Sequence, residues 1–302
     1  MAFTAKDVQT LREQSGVGMM DCKKALTEAD GDMQRAAEIL REKGMAAATK
    51  KAGRIAAEGM VAAVASADLG VVVEVNSETD FVSKNADFQA FVAGIADAIL
   101  KNKPADIEAL GAVNYPGSTM TVAEMLREKV LTIGENLQLR RFTIFEGGVN
   151  VPYTHMGGKI GVLVNLEVSG ISDMDAVTTI GKDVCMQIAA MAPANLDKSQ
   201  VTGEDLDKER AILLAQALQE GKPEQVAQKI VEGRINKYYE ENCLLQQAFV
   251  KENKISVKAY VDREAAALGG TIVVKNFVRL EKGEGIQKKE ENFAEEIAKQ
   301  LG

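Results

Sequence analysis

GVVVEVNSETDFVSKN, from Gly70 to Asn85, is the stretch on which the reading of the chain turns. Val71, Val72, Val73 and Val75 make a short β-branched apolar run closed by an Asn-Ser turn signal, the pattern of a strand buried on both faces and ending near Asn76. From Phe88 onward Phe91, Val92, Ile95 and Ile99 recur at helical spacing, so a helix follows within a few residues. Thr79, Asp80, Phe81 and Val82 therefore occupy a strand-to-helix corner. A carboxylate followed by an aromatic in such a corner can project from a rigid scaffold, where contact residues often sit. A plainer reading competes: Phe81 is in phase with Phe88 on the helical stripe, which would bury it, and Asp80 would cap the helix. Spacing leaves both readings open.

Outward from this corner the chain has 302 residues, 46% of them hydrophobic, enough for a buried core in one to three domains. Its 36 basic and 44 acidic residues leave a charge of −8, so a general electrostatic grip on nucleic acid or an anionic membrane is not expected, and a protein partner fits better. No apolar run approaches the about 18 residues of a membrane span, and MAFTAKDVQT lacks the basic-then-apolar order of a signal peptide. Cys22, Cys185 and Cys243 are scattered without CxxC spacing, which argues against a disulfide framework or zinc site and for a reducing cytoplasm.

Toward the N-terminus, Thr4 with Asp7 forms a capping box for a short helix that stops at Ser15-Gly16. A second helix runs from about Gly18 to Ala29 with Cys22, Ala25 and Leu26 inward. A third, capped by Asp32, carries Ala36, Ile39 and Leu40 and stops at Gly44, and this compact unit resembles a ubiquitin-associated-type domain. Met19 and Met20 point about 100° apart on a helix, so one of them faces outward, as a gap-filler or an adaptable docking surface. Asp30-Gly31-Asp32 is a turn plus a cap, since no calcium-loop spacing follows. Met45 to Gly53 reads as an Ala-rich helical linker, closing a first unit over 1–54.

Residues 55–148 then form a hairpin (Met60–Ala65 and Val71–Val75), a helix (Phe88–Leu100), a polar connection (Asn102–Ser118), a helix (Val122–Leu131) and a strand (Leu137–Phe145). Residues 149–283 repeat the plan. Val149–Thr154 and Ile160–Val168 make the second hairpin, with GVLVNLEV from Gly161 standing where GVVVEVN stands from Gly70. Asp173 caps a helix through Met191, and Val257–Leu268 and Ile272–Leu280 are the late helix and closing strand. The delay is an insertion at about 196–245, where stripes of Leu206, Ile212, Leu213, Leu218 and of Val226, Ile230, Ile235 flank a Gly-Lys-Pro-Glu break. Two such helices should cover each other's apolar faces as a projecting hairpin. A module over 284–302 ends in an amphipathic helix from Glu291 to Leu301. The expected class is α+β: a three-helix domain, a duplicated antiparallel-sheet-plus-helix core, an inserted helical hairpin and a C-terminal helix.

Covalent catalysis finds little support. His155 is the single histidine, so a Ser-His-Asp triad has no motif behind it, and Gly157 to Gly161 is too short and wrongly ordered for a phosphate loop. No catalytic residue, metal ligand or cofactor is assigned, and a small-molecule enzyme ranks below two binding readings.

NSETDFVSKNADFQAF and LREQSGVGMMDCKKALTEADGD resemble, in order, the two signatures of the elongation factor Ts family, and the resemblance extends over essentially the whole chain. It implies a guanine nucleotide exchange factor that releases GDP from the GTPase elongation factor Tu in the cytoplasm. Thr79, Asp80, Phe81 and Val82 would disturb the partner's magnesium and phosphate sites. Arg12, Met19 and Met20 match positions that contact the GTPase domain, and His155 a position on the surface facing it. The inserted hairpin corresponds to the family's coiled coil, and the C-terminal helix also reaches the partner there. A homodimer, or a heterotetramer with the partner, stays open. The competing reading is a scaffold that binds without changing nucleotide release.

Overall fold

A computed structural model describes residues 3–287; the helix expected over Glu291–Leu301 lies outside the described residues. The chain begins with α1 (Ala5–Ser15), α2 (Met19–Glu28) and α3 (Met33–Lys51). Thr4 and Asp7 make the capping box, Gly16 ends α1 in the left-handed region, and Asp32 caps α3 through the Arg35 amide. Val8, Leu11, Cys22, Leu26, Ile39 and Leu40 share a small core. The third helix does not stop at Gly44. It continues to Lys51, because Gly44 is buried against Leu131 and this packing offsets the about 1 kcal/mol that glycine costs inside a helix.

The first half continues with β1 (Glu58–Ser66), β2 (Leu69–Ser77), α4 (Asp80–Ser83), α5 (Ala86–Asn102), α6 (Ile107–Ala112), α7 (Val122–Ile133) and β3 (Gln138–Glu146). The second has β4 (Val149–His155), β5 (Ile160–Ser169) and α8 (Met174–Met191), then α9 (Gly203–Gln219) and α10 (Glu224–Asn242). It closes with β6 (Ala248–Phe249), β7 (Glu252–Ser256), α11 (Val257–Ala267) and β8 (Thr271–Glu281). The helix α6 lies inside the stretch read as a polar connection, and the short β6–β7 ladder carries no pattern long enough to read. The sheets are antiparallel, ordered β1-β2-β3 and β4-β5-β8. Phe88, Phe91, Val92 and Ile95 of α5 cover Val71, Val73 and Val75, while Val177, Ile180, Val184 and Ile188 of α8 cover Val162, Val164 and Leu166. α9 and α10 meet along Ala217, Ala227, Val231 and Ile235. Their cover is incomplete, because small side chains make a narrow seam and Ile212, Leu218 and Val226 stay exposed. No helix among the described residues is long and apolar enough to cross a membrane.

The uncovered faces of the two sheets pack on each other through Val61, Val72, Leu163 and Leu280. The duplication reaches atomic detail here. A Cβ on Gly70 would stand 2.6 Å from Leu163 and 2.8 Å from Asn150; one on Gly161 would stand 2.3 Å from Val61 and 3.2 Å from Val72, the matching positions of the other half. Each repeat therefore opens with glycine because the sheets approach too closely for any side chain. Matching positions also carry the buried polar pair Glu74 and Asn165, and each is followed at once by a β-bulge, at Arg140 in β3 and Lys275 in β8.

These polar groups reach across to the opposite half. The buried Glu74 accepts from Arg140 Nη1 (2.9 Å), Arg141 Nε (2.7 Å), Asn76 Nδ2 (3.0 Å) and the Gly283 amide (2.7 Å) just beyond β8. Asn165 donates to the Gly147 carbonyl (2.6 Å) just beyond β3, and to Asn150 Oδ1 (2.9 Å). Each central strand thus holds the turn that leaves the other half's closing strand. Burial pushes the Glu74 carboxyl up, but the Gly283 amide, the two arginines and Asn76 outweigh it and hold it below the ordinary glutamate value of 4.5.

Two outcomes follow for stability. Gly161→Ala should cost about 2 kcal/mol by overpacking, read as a lower denaturant midpoint with an unchanged slope. Glu74→Gln should cost about 3 kcal/mol near neutral pH by breaking a buried pair. Because the folded value is depressed, that stabilisation is complete above pH 4.5 and disappears as the pH falls through the folded value, so the two proteins' stabilities should converge in acid. A gap that persists there would assign the effect to packing.

Candidate functional site: the Phe81 turn

Where β2 ends, a one-turn helix is tied down from several sides. Glu135, in the loop between α7 and β3, accepts through Oε2 from the amides of Glu78 (3.0 Å) and Thr79 (2.9 Å) and through Oε1 from the Thr79 hydroxyl (2.5 Å). Thr79 precedes α4 but makes no side-chain cap bond, its hydroxyl being committed to Glu135. Ser77 Oγ donates to the Thr79 carbonyl (2.9 Å) and Ser83 Oγ to the Asp80 carbonyl (2.6 Å). The Lys84 and Asn85 amides bond back to Phe81 and Val82, which closes the turn. Asn85 then caps α5 through the Asp87 and Phe88 amides.

This break decides the fate of Phe81. The turn is not the first turn of α5, so Phe81 leaves the stripe of Phe88 and Phe91, and the residue is 79% exposed. The core reading fails for this residue. Val82, one position on, is buried against the first sheet's core. Asp80 accepts from Lys84 Nζ at 2.7 Å, and the same ammonium lies 5.9 Å from the centre of the Phe81 ring. Lys84 holds the Asp80 carboxyl below the ordinary aspartate value against a small burial effect, and Lys282 adds to the lowering. The turn therefore presents an apolar ring with a carboxylate and an ammonium at its foot.

His155 lies at the same end of the core. It closes β4, is half-buried, and shares a 2.9 Å hydrogen bond between Nδ1 and Tyr153 Oη. The next residue, Met156, has φ of 49° and is 69% exposed. A Cβ on Gly158 would stand 2.8 Å from Met60, so this turn rests on the start of β1, against which α4 also packs. Lys282 completes this end by donating to Glu58 (2.5 Å). Arg12, Met19 and Met20 belong instead to the three-helix unit, which leans on α7 through Leu131. Both methionines are exposed, at 52% and 64%, because Cys22, Ala25 and Leu26 supply that helix's whole inward face. Two side chains face outward where helical geometry required one.

The sequence reading missed Glu135, Lys282 and Lys84. Only Lys84 carried a signal, its i,i+4 spacing from Asp80. Glu135 sits in a polar loop, and nothing local announces a partner at Thr79. Among the described residues no group of three or more His, Cys, Asp or Glu side chains is placed to hold a metal ion.

A family model described as Elongation factor TS matches residues 78–284, from the start of the Phe81 corner to the turn held by Glu74. The Elongation factor Ts of Syntrophotalea carbinolica is 47% identical over 301 residues, covering 99% of both chains. That of Clostridium acetobutylicum is 49% identical over 303 residues, covering 99% of this chain and 98% of the relative. Likeness at this level, running through the corner, both halves and the inserted hairpin, makes the chain a member of the elongation factor Ts family of translation elongation factors.

Proposed function

We propose that the protein is a guanine nucleotide exchange factor for elongation factor Tu, and that it acts without covalent chemistry. The observation that carries this reading is Phe81, an aromatic ring held outside the core on a turn fastened at both ends. An exposed phenylalanine forgoes about 1.5–3 kcal/mol that burial would return, and a partner's pocket can supply it. Phe81, with Asp80 beside it, wedges into the GTPase and displaces the elements that hold its magnesium ion and the phosphates of GDP. Thr79 and Val82 do not leave the scaffold. The first is bound to Glu135 and the second sits in the core, so their part is to aim the ring.

Linkage sets what the wedge must achieve. The factor binds the nucleotide-free GTPase more tightly than the GDP-bound form, and GDP weakens the factor by the same ratio. Each tenfold acceleration requires about 1.4 kcal/mol of differential binding, so one phenylalanine provides about one or two powers of ten. Other contacts supply the rest. Met19 and Met20 offer soft, adaptable surface on the three-helix unit, with Arg12 on the neighbouring helix, and His155 with Met156 extends the core end that carries Phe81.

The test is release of a fluorescent GDP from purified elongation factor Tu at sub-stoichiometric amounts of this protein. Acceleration with turnover is the expected result, and binding without acceleration would leave a scaffold. Phe81→Ala should slow the stimulated release about 10- to 100-fold with an unchanged unfolding midpoint, because the ring contributes little to the core. Replacing Met19 and Met20 together by alanine should instead raise the concentration needed for half-maximal stimulation several-fold and leave the maximal rate nearly intact, the mark of uniform binding.

A further inference from the structure

We propose that Glu135 is a positioning residue for Phe81: its carboxylate sets the angle at which α4 presents the ring. The inference rests on the exchange reading for its functional consequence and on geometry alone for its structural one. Glu135 takes three donors from two consecutive residues, Glu78 N, Thr79 N and Thr79 Oγ1, all within 3.0 Å. Both carboxylate oxygens are used, which fixes orientation as well as distance. Glu78 returns the contact, its Oε1 accepting from the Asn136 amide at 2.6 Å, and the buried Asn136 donates through Nδ2 to the Arg54 carbonyl at 2.7 Å. Arg54 follows directly on the end of α3 and closes the circuit with Nη1 at 3.4 Å from Glu78. The loop that grips the turn is thus itself gripped, and the chain arriving from the three-helix unit is part of the grip.

The duplication provides an internal control. In the second half Gly269, with φ of 80°, stands before the closing strand as Gly134, with φ of 88°, stands in the first, and the residue after each is Gly270 or Glu135. The corner after β5 displays no aromatic ring; Ile171 turns inward and is buried. A Cβ on Gly270 would stand 2.2 Å from the Ser169 carbonyl and 2.6 Å from the Ile171 side chain, so in the second half the corner closes directly on the loop and leaves no room for a side chain where the first half has Glu135. The first corner keeps one buried side chain, Val82, but its Phe81 ring faces solvent, and its backbone meets the loop before the closing strand through the Glu135 carboxylate.

The protein has no tryptophan, so Phe81→Trp places a single emitter on the turn. In that background Glu135→Gln, which puts an amide NH2 among three donors, should lower the fluorescence anisotropy of the isolated protein; unchanged anisotropy overturns the proposal. With phenylalanine at 81, Glu135→Gln should slow maximal GDP release about tenfold and shift the half-saturating concentration less than twofold, as expected for a misplaced contact group. Added to Phe81→Ala it should cost nothing further, and an additive loss would place its role elsewhere. If Glu135→Gln does not unfold cooperatively, Thr79→Val removes one donor and carries the same expectations. A fall in anisotropy with GDP release untouched by both Glu135→Gln and Phe81→Ala would uphold the clamp and overturn the exchange reading.

Discussion

The close approach of two sheets at Gly70 and Gly161 is the constraint on which the rest depends. Sheets bearing ordinary side chains pack about 10 Å apart, and a glycine at the head of each central strand lets the neighbour in closer. The apolar layer that results is thin, essentially Val61, Val72, Leu163 and Leu280. Partly buried Ala63, Phe145 and Val278 flank it, and the buried polar residues Glu74, Asn76, Asn150 and Asn165, costly to bury unpaired, share the same central strands and their neighbours. Glu74, Asn150 and Asn165 bond to the turns that leave the closing strands, Glu74 also to Arg140 and Arg141, while Asn76 donates to Glu74 and to the Glu58 carbonyl. A polar layer therefore fixes the ends of both halves, including Lys282 and Gly283, whose turn lies beside Glu58 and the Phe81 corner.

The same duplication explains what was legible in the sequence. Strands with period two, amphipathic helices, caps and the repeated Gly-Val-Val-Val and Gly-Val-Leu-Val openings are local patterns, and they place nearly every long element. Short elements without a period, α6 and the β6–β7 ladder, left no trace. Gly44 misled because a glycine stops a helix only when nothing packs on it, and Leu131 packs there from far along the chain. The seam of α9 and α10 was overestimated for a related reason: spacing counts apolar residues but not whether a partner helix is wide enough to cover them.

At the site the division is sharper. Residues 79–82 were legible as a corner, but whether Phe81 turns in or out depends on Asn85 restarting the helix and on a carboxylate more than fifty positions away. Periodicity alone allows the outward position as well as the stripe. The ring leaves it because Thr79, Ser83 and the Lys84 and Asn85 amides close a separate turn, an alternative to helix that such polar side chains commonly offer. Resemblance to a family supplied the outward reading that spacing could not, and the geometry supplies its cause.

The two halves have the same scaffold but opposite corners, and this asymmetry bears on how a duplicated fold takes up one task. In the second half Ile171 enters the core and Asp173 caps α8 directly, so the corner displays no aromatic ring. In the first, an extra turn pushes Phe81 outward, and the lost burial is offset by bonds to Glu135, Ser77 and Ser83. The three bonds to the Glu135 carboxylate are to a charged group and contribute about 1.5–3 kcal/mol each, comparable with burying one phenylalanine, while the serine bonds to carbonyls add less. The exchange of apolar for polar anchoring thus leaves the fold near balance while freeing an aromatic ring. Because the turn that bears the ring is fastened by these bonds, any contact made through Phe81, as the exchange reading proposes, would not have to order the backbone of the turn first.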